Sequence, residues 1–543
     1  MRYAYQVAAV RAAERALMDL VPEGALMRRA AAGLASACAS LLARHPGHVY
    51  GARVVVLAGS GDNGGDALYA GALLARRGAA VTAVAPGPRA HEGGLAELRA
   101  AGGRLAGDPG DPGDPGDLGD PGVRGVRGVR GVRGDPGAAG EPDDAGRLRG
   151  AADAIAHADL IIDGLLGIGG RGGLREPFAG LARLAEQARS GPTVVAVDLP
   201  SGIDADTGAV EGPAVRADVT VTFGAIKPGL LVDPGAGHAG VVELVDIGLR
   251  PYLKDEPGAM AAQRDDIGER LPRPGPESDK YRRGVLGLLA GSDRYAGAAV
   301  LATGGAVRGG AGMVRVATAG VPAVAVRQAW PEAVLAVHAD DGDWDPGSVG
   351  RVQAWAAGPG MGTGPHAAAR LAAVLATELP VLVDADGLTI VSQTTGLLPR
   401  ANAAAPTLIT PHAGELARLL GTDPASVEAR RLDHARRAAA ELGVTVLLKG
   451  STTVIARPGD PTVLVNATGT PWLATAGSGD VLSGLAGALL AQGLDPAWAG
   501  AAAAYLHGLA ARLAAAEGPE GTAEAPIGAS DVVRALPAAF RSL

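Results

Sequence analysis

The sequence predicts an α/β protein of two domains, and three observations carry that prediction. Short runs of Val, Ile and Leu alternate with segments of helical period along most of the chain. Apolar residues make up 47% of the 543 residues and aromatics only 3%, so the interior must be built from Ala, Val and Leu, which suits helices laid closely on a parallel sheet. A stretch near the middle, rich in Pro and charge and poor in apolar periodicity, divides the alternation into two series.

The first series opens with RVVVLAG (53–59) as a buried strand, followed by GGDALYAGALLARRG (64–78) as a helix and AAVTAVA as a strand. The cycle recurs at ADLIIDG (158–164), TVVAVDLPSG (193–202) and DVTVTFG (218–224), and VVELVDIG (241–248) closes it. These residues form one doubly wound domain, 1–250. Residues 251–279 are expected as the connection. The second domain, 280–543, carries strands or strand ends at GVLGLLAGS (284–292), AGMVRVAT (311–318), PVLVDADG (380–387), TLITPHAGE (407–415) and VTVLLKGST (444–452), with helices over 480–491 and 496–516. From Gly107 to Gly140 a glycine falls at every third position. Strict Gly-X-Y spacing is the collagen signature, but one chain lacks the two partner strands it needs, so a disordered loop insertion is expected there.

Charge and cysteine content narrow the partners. A net charge of -8 with no clustered basic surface argues against nucleic acid. Cys38 is the only cysteine, so no intrachain disulfide or thiolate metal cluster can form, which fits a reducing cytoplasm. Arg2, Arg11, Glu14, Arg15 and Asp19 interrupt the opening residues, leaving no signal-peptide core. No apolar run approaches about 20 residues, so no membrane span is expected.

The chemistry concentrates in glycine-rich loops that precede helices. In ATAGSGDVLSG (474–484), small residues let backbone N–H groups approach a ligand, and the helix that follows adds partial positive charge. Asp480 is then either an N-cap carboxylate or a reacting base. KGSTT (449–453) ends a strand at the sheet edge where open α/β folds bind ligands, although Lys449 alone could be a solvated strand-end charge. With NATGT (466–470), these segments resemble the nucleotide site of ribokinase-like small-molecule kinases, in which the aspartate takes the acceptor proton while amides hold phosphoryl charge.

The segments 280–316, AAGPGMG (356–362), VDADGL (383–388), LITPHAGE (408–415) and 469–484 together look like the ADP-dependent NAD(P)H-hydrate dehydratases. That resemblance implies Ala298, Gly360, His412 and Asp480 at the hydrated nucleotide. It implies Lys449, Gly450, Ser451, Thr452, Thr453 and Gly479 at ADP, which would carry Mg2+. His412 by itself could equally cap a helix, and Asp384 and Asp386 either coordinate Mg2+ or end a strand. Asp279 stands where relatives usually carry histidine, which places no inferred chemistry in doubt.

In the first domain GSGDNGGDALYAG (59–71) lacks both the GxGxxG spacing and the Lys-Ser/Thr of a P-loop, so alone it says little. Joined by DGLLGIGGRGG (163–173), VDLPSGIDADTG (197–208) and TFGAIKPG (222–229), it is similar to the NAD(P)H-hydrate epimerases. The opening AYQVAAVRAAERALMD and EGALMRRAAAGLA look like that family's N-terminal helices. The resemblance implies K+ held by Asn63, Asp163 and Ser201, and nucleotide contacts from Asp62, Asn63, Gly64, Gly65, Asp66, Gly167, Ile168, Gly169, Gly170, Arg171, Gly172, Gly173 and Asp198. Asp198 is then the base or proton relay, with Lys227 supporting nearby charge, or else merely a strand-end cap. Relatives often carry Asn at the place of Asp62, whose extra charge beside a phosphate would need an offset.

The implied architecture is a Rossmann-like three-layer domain followed by a ribokinase-like α/β domain. The implied activity is repair of hydrated NAD(P)H, one domain interconverting R and S epimers and the other dehydrating the S form with ADP. A homo-oligomer is expected, because relatives are often oligomeric. The rival reading is a vitamin-type kinase with a non-catalytic binding module in front.

Overall fold

The computed structural model describes residues 1–86, 90–106, 144–170, 172–339, 344–400, 402, 405–516 and 524–543, with side chains over 144–149 excluded. The expected 107–140 insertion and Arg171 lie outside the described residues. The chain divides into two compact units, Val7–Ile226 with Gly235–Lys254, and Met1–Gln6, Lys227–Pro234 and Asp255–Leu543.

Among the described residues the N-terminal unit holds seven strands. Their order in the sheet is Arg104–Leu105, Ala80–Val84, Arg53–Ala58, Leu160–Gly164, Thr193–Val197, Val219–Phe223 and Val241–Val245, all paired parallel. Because successive side chains of a strand point to opposite faces, both faces need cover. Val55, Leu57, Ile161, Val194 and Ala196 pack with Ile155, Leu181 and Ala185 of the helices Asp144–Ala156 and Phe178–Gln187. On the other side the helix Asp62–Arg76 brings Gly71 against Val56 and Val81, and the helix Ala25–Arg44 brings Gly33 against Val245. Three layers result. The strand order reverses beside Arg53–Ala58, and the chain leaves the sheet at that switch point through residues 59–61 and through residues 165–170.

The other unit is built on eleven strands among the described residues. They run Arg2–Ala4, Ala259–Ala261, Val463–Asn466, Thr453–Ala456, Thr445–Leu448, Thr407–Ile409, Val381–Val383, Ala354–Ala357, Val285–Leu289, Met313–Thr318 and Val334–Val337. The stretch from Thr445–Leu448 to Val334–Val337 is parallel, and the strands Thr453–Ala456 and Val463–Asn466 extend it antiparallel. Residues 251–279, expected as a connector, instead contribute the strand Ala259–Ala261 and the helix Arg264–Arg270, and Arg2–Ala4 adds an edge strand to the same sheet.

The helix Ser478–Ala491 is buried along nearly its whole length. It lies unusually close to the helix Ala296–Arg308, because glycines remove the side chains that would separate them. A Cβ at Gly484 would collide with the Ala302 carbonyl, and one at Gly305 with that of Val481. This contact fixes the depth at which the first turn of the buried helix, with Asp480, meets the sheet edge.

Candidate active sites

In the N-terminal unit the sheet's carboxyl end gathers three loops. Parallel pairing sets Leu57 beside Asp163 and Ala58 beside Gly164, so the loops after both strands leave together. They run so close that a Cβ on Gly59 would strike the Leu165 carbonyl and one on Gly64 the Gly59 carbonyl. Asp163 is fully buried and is bonded by Ser201 through its amide (2.8 Å to Oδ2) and hydroxyl (2.7 Å to Oδ1). Leu166 donates its amide to Ser201 Oγ at 2.9 Å. Asn63 borders the same place, since its carbonyl would lie 3.0 Å from a Cβ on Gly164 and its Oδ1 2.9 Å from one on Gly167. The Asn63 Nδ2 is buried with no hydrogen-bond partner.

Burial pushes the Asp163 carboxyl up to about 6 despite the hydrogen bonds from Ser201 and Leu165. A buried carboxylate surrounded by hydroxyl, amide and backbone oxygens suits a hard monovalent cation, so the residues present fit K+. Ile168 and Gly170 are half-buried and Gly169 and Gly172 exposed along the following loop, while Gly173 passes so near the Glu211 backbone that no Cβ fits.

Asp198 ends the strand Thr193–Val197 with φ 65°, a backbone region that L residues other than Asn, Asp and Gly seldom occupy. Leu199 N donates to Val197 O at 2.7 Å across it, a three-residue turn of the strained kind. Its Oδ1 accepts from Thr222 Oγ1 at 3.1 Å and from the Phe223 amide at 3.2 Å. Holding such a residue costs about 1–3 kcal/mol, and strain of that size collects where a side chain must be aimed. Asp66 is half-buried, its Oδ1 is inaccessible and unpartnered, and its carboxyl stands well above the usual range because of burial first and Asp198, Asp62 and Glu14 next. Asp62, by contrast, is exposed. Lys227 is 1% exposed and falls in the other compact unit by chain assignment.

In the C-terminal unit the candidate residues meet at the carboxyl ends of the parallel strands. The turn Asp384-Ala385-Asp386-Gly387 follows the strand Val381–Val383, closed by Gly387 N to Asp384 O at 2.9 Å, with Ala385 at φ 49° and ψ -118°. That conformation normally needs glycine and sends the two flanking carboxylates in different directions. Asp384 accepts Lys449 Nζ on Oδ1 at 2.7 Å and Ser483 Oγ on Oδ2 at 2.5 Å. Asp386 Oδ2 accepts the Gly362 amide at 2.9 Å. Both Asp384 oxygens are thus engaged by the protein, and among the described residues no group of three His, Cys, Asp or Glu is placed to hold a metal. A divalent ion here fits only as one brought by nucleotide phosphates, completed by a carboxylate and water.

Asp480 lies in the first turn of its helix. The N-cap is Gly477 (φ 86°) and no side-chain cap bond forms, so the N-cap alternative for Asp480 does not hold. A Cβ built on the neighbouring Gly479 would sit 3.5 Å from Lys449 Nζ and 3.9 Å from Asp384 Oδ2, which brings Asp480, Lys449 and Asp384 into one cluster. Burial raises the Asp480 carboxyl to about 7, Asp384 and Asp386 adding to it and Lys449 opposing. Burial would lower the Lys449 ammonium, yet Asp384 and Glu415, with Asp480, outweigh it and its pKa is raised.

His412 does cap a helix. Its Nδ1 accepts from the Gly414 and Glu415 amides at 3.0 and 3.4 Å, while Glu415 Oε2 accepts the His412 amide at 2.8 Å. With Nδ1 an acceptor, the neutral ring carries its proton on Nε2, and the side chain is 59% exposed. Gly360 (φ 60°) presses on Ala298, a Cβ there falling 2.7 Å from that of Ala298. Within KGSTT, Gly450 and Ser451 are exposed whereas Thr452 and Thr453 are buried, and Thr452 Oγ1 accepts the Asp233 amide at 3.0 Å. Four participants escaped the sequence reading: Glu415 and Ser483, which orient Lys449 and Asp384, Arg431, and His507. His507 is buried against the Ser478 backbone and held down to about 4 by burial. Glu415 and Ser483 lie inside the quoted segments LITPHAGE and ATAGSGDVLSG but carry no sequence signal of their own there, and Arg431 and His507 lie outside every quoted motif.

Two family models match the chain, one in each half. The family model described as NAD(P)H-hydrate dehydratase matches residues 286–529, and that of the YjeF-related protein N-terminus matches 23–229. The chain is 45% identical over 544 residues to the bifunctional NAD(P)H-hydrate repair enzyme of Mycobacterium leprae, covering 100% of both chains. It is 46% identical over 495 residues to that of Mycobacterium tuberculosis strain H37Rv, covering 91% of this chain and 90% of the relative. Among solved structures, an ADP/ATP-dependent NAD(P)H-hydrate dehydratase from Bacillus subtilis, co-crystallised with ATP/Mg2+, is 32% identical with a TM-score of 0.46, covering 51% of this chain and 96% of its own. The chain belongs to the family of bifunctional NAD(P)H-hydrate repair enzymes.

Proposed function

We propose that the N-terminal unit interconverts the R and S epimers of NAD(P)H-hydrate and that the C-terminal unit dehydrates the S epimer to NAD(P)H, using ADP and releasing AMP and phosphate. Addition of water across the C5=C6 bond of reduced nicotinamide gives two C6 epimers. One chiral pocket can process only one of them, so an epimerase beside the dehydratase completes the repair.

The observation that carries the dehydratase reading is Asp480, a carboxyl held near neutrality in the first turn of a glycine-led helix beside Lys449. A base poised at about 7 is suited to take the C6 hydroxyl proton as that oxygen attacks the terminal phosphorus of ADP. Lys449 and the first-turn amides at Gly479 and Asp480 stabilise charge on the phosphoryl oxygens. The bond to AMP breaks as the C6 phosphoester forms. Loss of phosphate from C6 and of a proton from C5 then restores the double bond. Mg2+ bound with ADP supplies further charge neutralisation on the phosphates, with Asp386 the carboxylate available to it.

For the epimerase, Asp198 moves the proton that opens and recloses the hydrated ring, and Asp66, its carboxyl raised by burial and then by Asp198, holds the nucleotide. K+, held by Asn63, Asp163 and Ser201, supplies the positive charge that the buried carboxylate lacks. His412, Ala298 and Gly360 line the hydrate pocket of the dehydratase, and Lys449 to Thr453 with Gly479 form its ADP site. The oligomeric expectation stands with the family resemblance.

The test is incubation of purified protein with mixed hydrate epimers and ADP, following absorbance of reduced nicotinamide. Wild type recovers all of it, Asp480→Asn none, and Asp198→Asn only the S fraction with a slow second phase. A stable phosphoester in place of recovered absorbance would instead establish the kinase alternative. Full recovery at the wild-type rate by Asp198→Asn would remove that residue from the epimerase.

A further inference from the structure

The helix Arg431–Leu442 begins with a residue that no functional role yet includes. Arg431 is 1% exposed, and its guanidinium lies beneath the loop that follows the strand Thr445–Leu448. Nη2 donates to Lys449 O at 2.7 Å and to Thr452 O at 3.1 Å, and Nη1 donates to Glu428 Oε2 at 2.5 Å. Nε is buried with no partner. Gly450 lies directly over the group, and a Cβ there would sit 2.6 Å from Cζ and 2.8 Å from Nη1, which only glycine avoids.

As stabilising architecture this arrangement is poor. A cation in the first turn of a helix opposes the positive end of the helix dipole. Burying a guanidinium with one donor unmatched, against a carboxylate that is itself 59% exposed, gains little over an apolar side chain. What the arrangement does supply is geometry. One planar group grips two carbonyls three residues apart, and a trans peptide sets its N–H opposite its C=O. With the Lys449 carbonyl turned toward Arg431, the Gly450 N–H faces the other way, to the exposed side of the loop. The same grip sets the backbone from which Lys449 reaches Asp384.

We infer that Arg431 is a positioning residue for the nucleotide site, fixing the 449–452 loop so that the Gly450 amide and the Lys449 ammonium are presented together to the phosphates of ADP. This rests on the functional reading above, because it specifies the ADP subsite of that dehydratase. A charge-conserving substitution does not replace the group: Nη2 meets both carbonyls while Nη1, fixed in the same plane, holds Glu428, whereas a lysine ammonium has a single nitrogen on a flexible stem and cannot keep all three contacts in that fixed arrangement.

The experiment uses the full chain with Arg431→Lys, Arg431→Met and Gly450→Ala, measuring ADP binding by calorimetry and steady-state dehydratase kinetics. In each variant the ADP Kd and KM are expected to rise about tenfold, the loss that follows when hydrogen bonds to a charged group are removed. The KM for the hydrate and the rate of epimer exchange stay at wild-type values, and kcat at saturating ADP falls much less than kcat/KM. Unchanged ADP affinity in any folded variant overturns the inference. So does a parallel loss for ADP and hydrate, which would mark Arg431 as structural support. Failure of all three variants to fold does the same. If wild type binds ADP but restores no NAD(P)H, the functional reading fails while the calorimetric result still judges the role of Arg431.

Discussion

Asp384→Asn probes the electrostatics of the dehydratase site most directly. Asp480 is raised to about 7 by burial and then by Asp384, with Lys449 pulling the other way. The substitution removes the negative charge and also frees Lys449, whose ammonium is 2.7 Å from Asp384 Oδ1, to act on Asp480. Both consequences lower the Asp480 pKa. A nearby unit charge moves a carboxyl by about 1–3 units. Because burial is the larger cause and persists, about one unit is the expected share, equivalent to about 1.4 kcal/mol. Asp480 accepts a proton only when ionised, so kcat/KM falls about tenfold per pH unit on the acidic side of its inflection. At pH 6 the ionised fraction is about a tenth for a pKa of 7 and about a half for a pKa of 6, so activity at pH 6 relative to the plateau rises roughly fivefold. The assay is recovery of reduced-nicotinamide absorbance from S-hydrate with saturating ADP over roughly pH 5 to 9. The plateau itself drops, because Asn holds Lys449 less well, and the position of the inflection is therefore the readout. An inflection that stays in place or moves upward refutes the coupling.

The same raised carboxyl has a consequence for stability. A folded-state pKa above the unfolded value means that the Asp480 contribution is fully present below about pH 3.8 and is lost as pH rises through about 7. Asp480→Asn is therefore expected to stabilise the fold at pH 8 and not at pH 4, by on the order of 2 kcal/mol once residual exposure is allowed for, read as a higher Tm at pH 8 alone, and equal shifts at both values would exclude the idea. Gly484→Ala forces a methyl into the Ala302 carbonyl and is expected to cost about 3 kcal/mol or more, seen as a large drop in Tm together with lost ADP binding. Replacing K+ by choline should lower the melting temperature and slow epimer exchange without touching dehydration of pure S-hydrate. Asp163→Asn should abolish the K+ dependence of that melting, and a persisting dependence would place the ion elsewhere.

Parallel strands were legible wherever a run of β-branched residues was long enough to be buried on two faces, as in RVVVLA, LIIDG and TVVAV. The glycine loops were legible too, because close backbone approach leaves no residue but glycine. The Asp384 question was not, since a carboxylate at a strand end reads the same whether it binds metal or an ammonium. Its partners in the structure are Lys449 and Ser483, 65 and 99 positions away.

By itself the sequence determined two α/β sheets, the loops at their carboxyl ends, and where acids stand in those loops. Local periodicity and the absence of Cβ atoms are properties that a few consecutive residues carry. Tertiary structure alone decided that Arg2–Ala4 and Ala259–Ala261 complete the second sheet, that Asp480 leaves the cap to Gly477, and that Arg431 grips the 449–452 loop. Three-residue strands and a lone buried arginine have no period, so only the distant groups that satisfy their hydrogen bonds and charge reveal what they do.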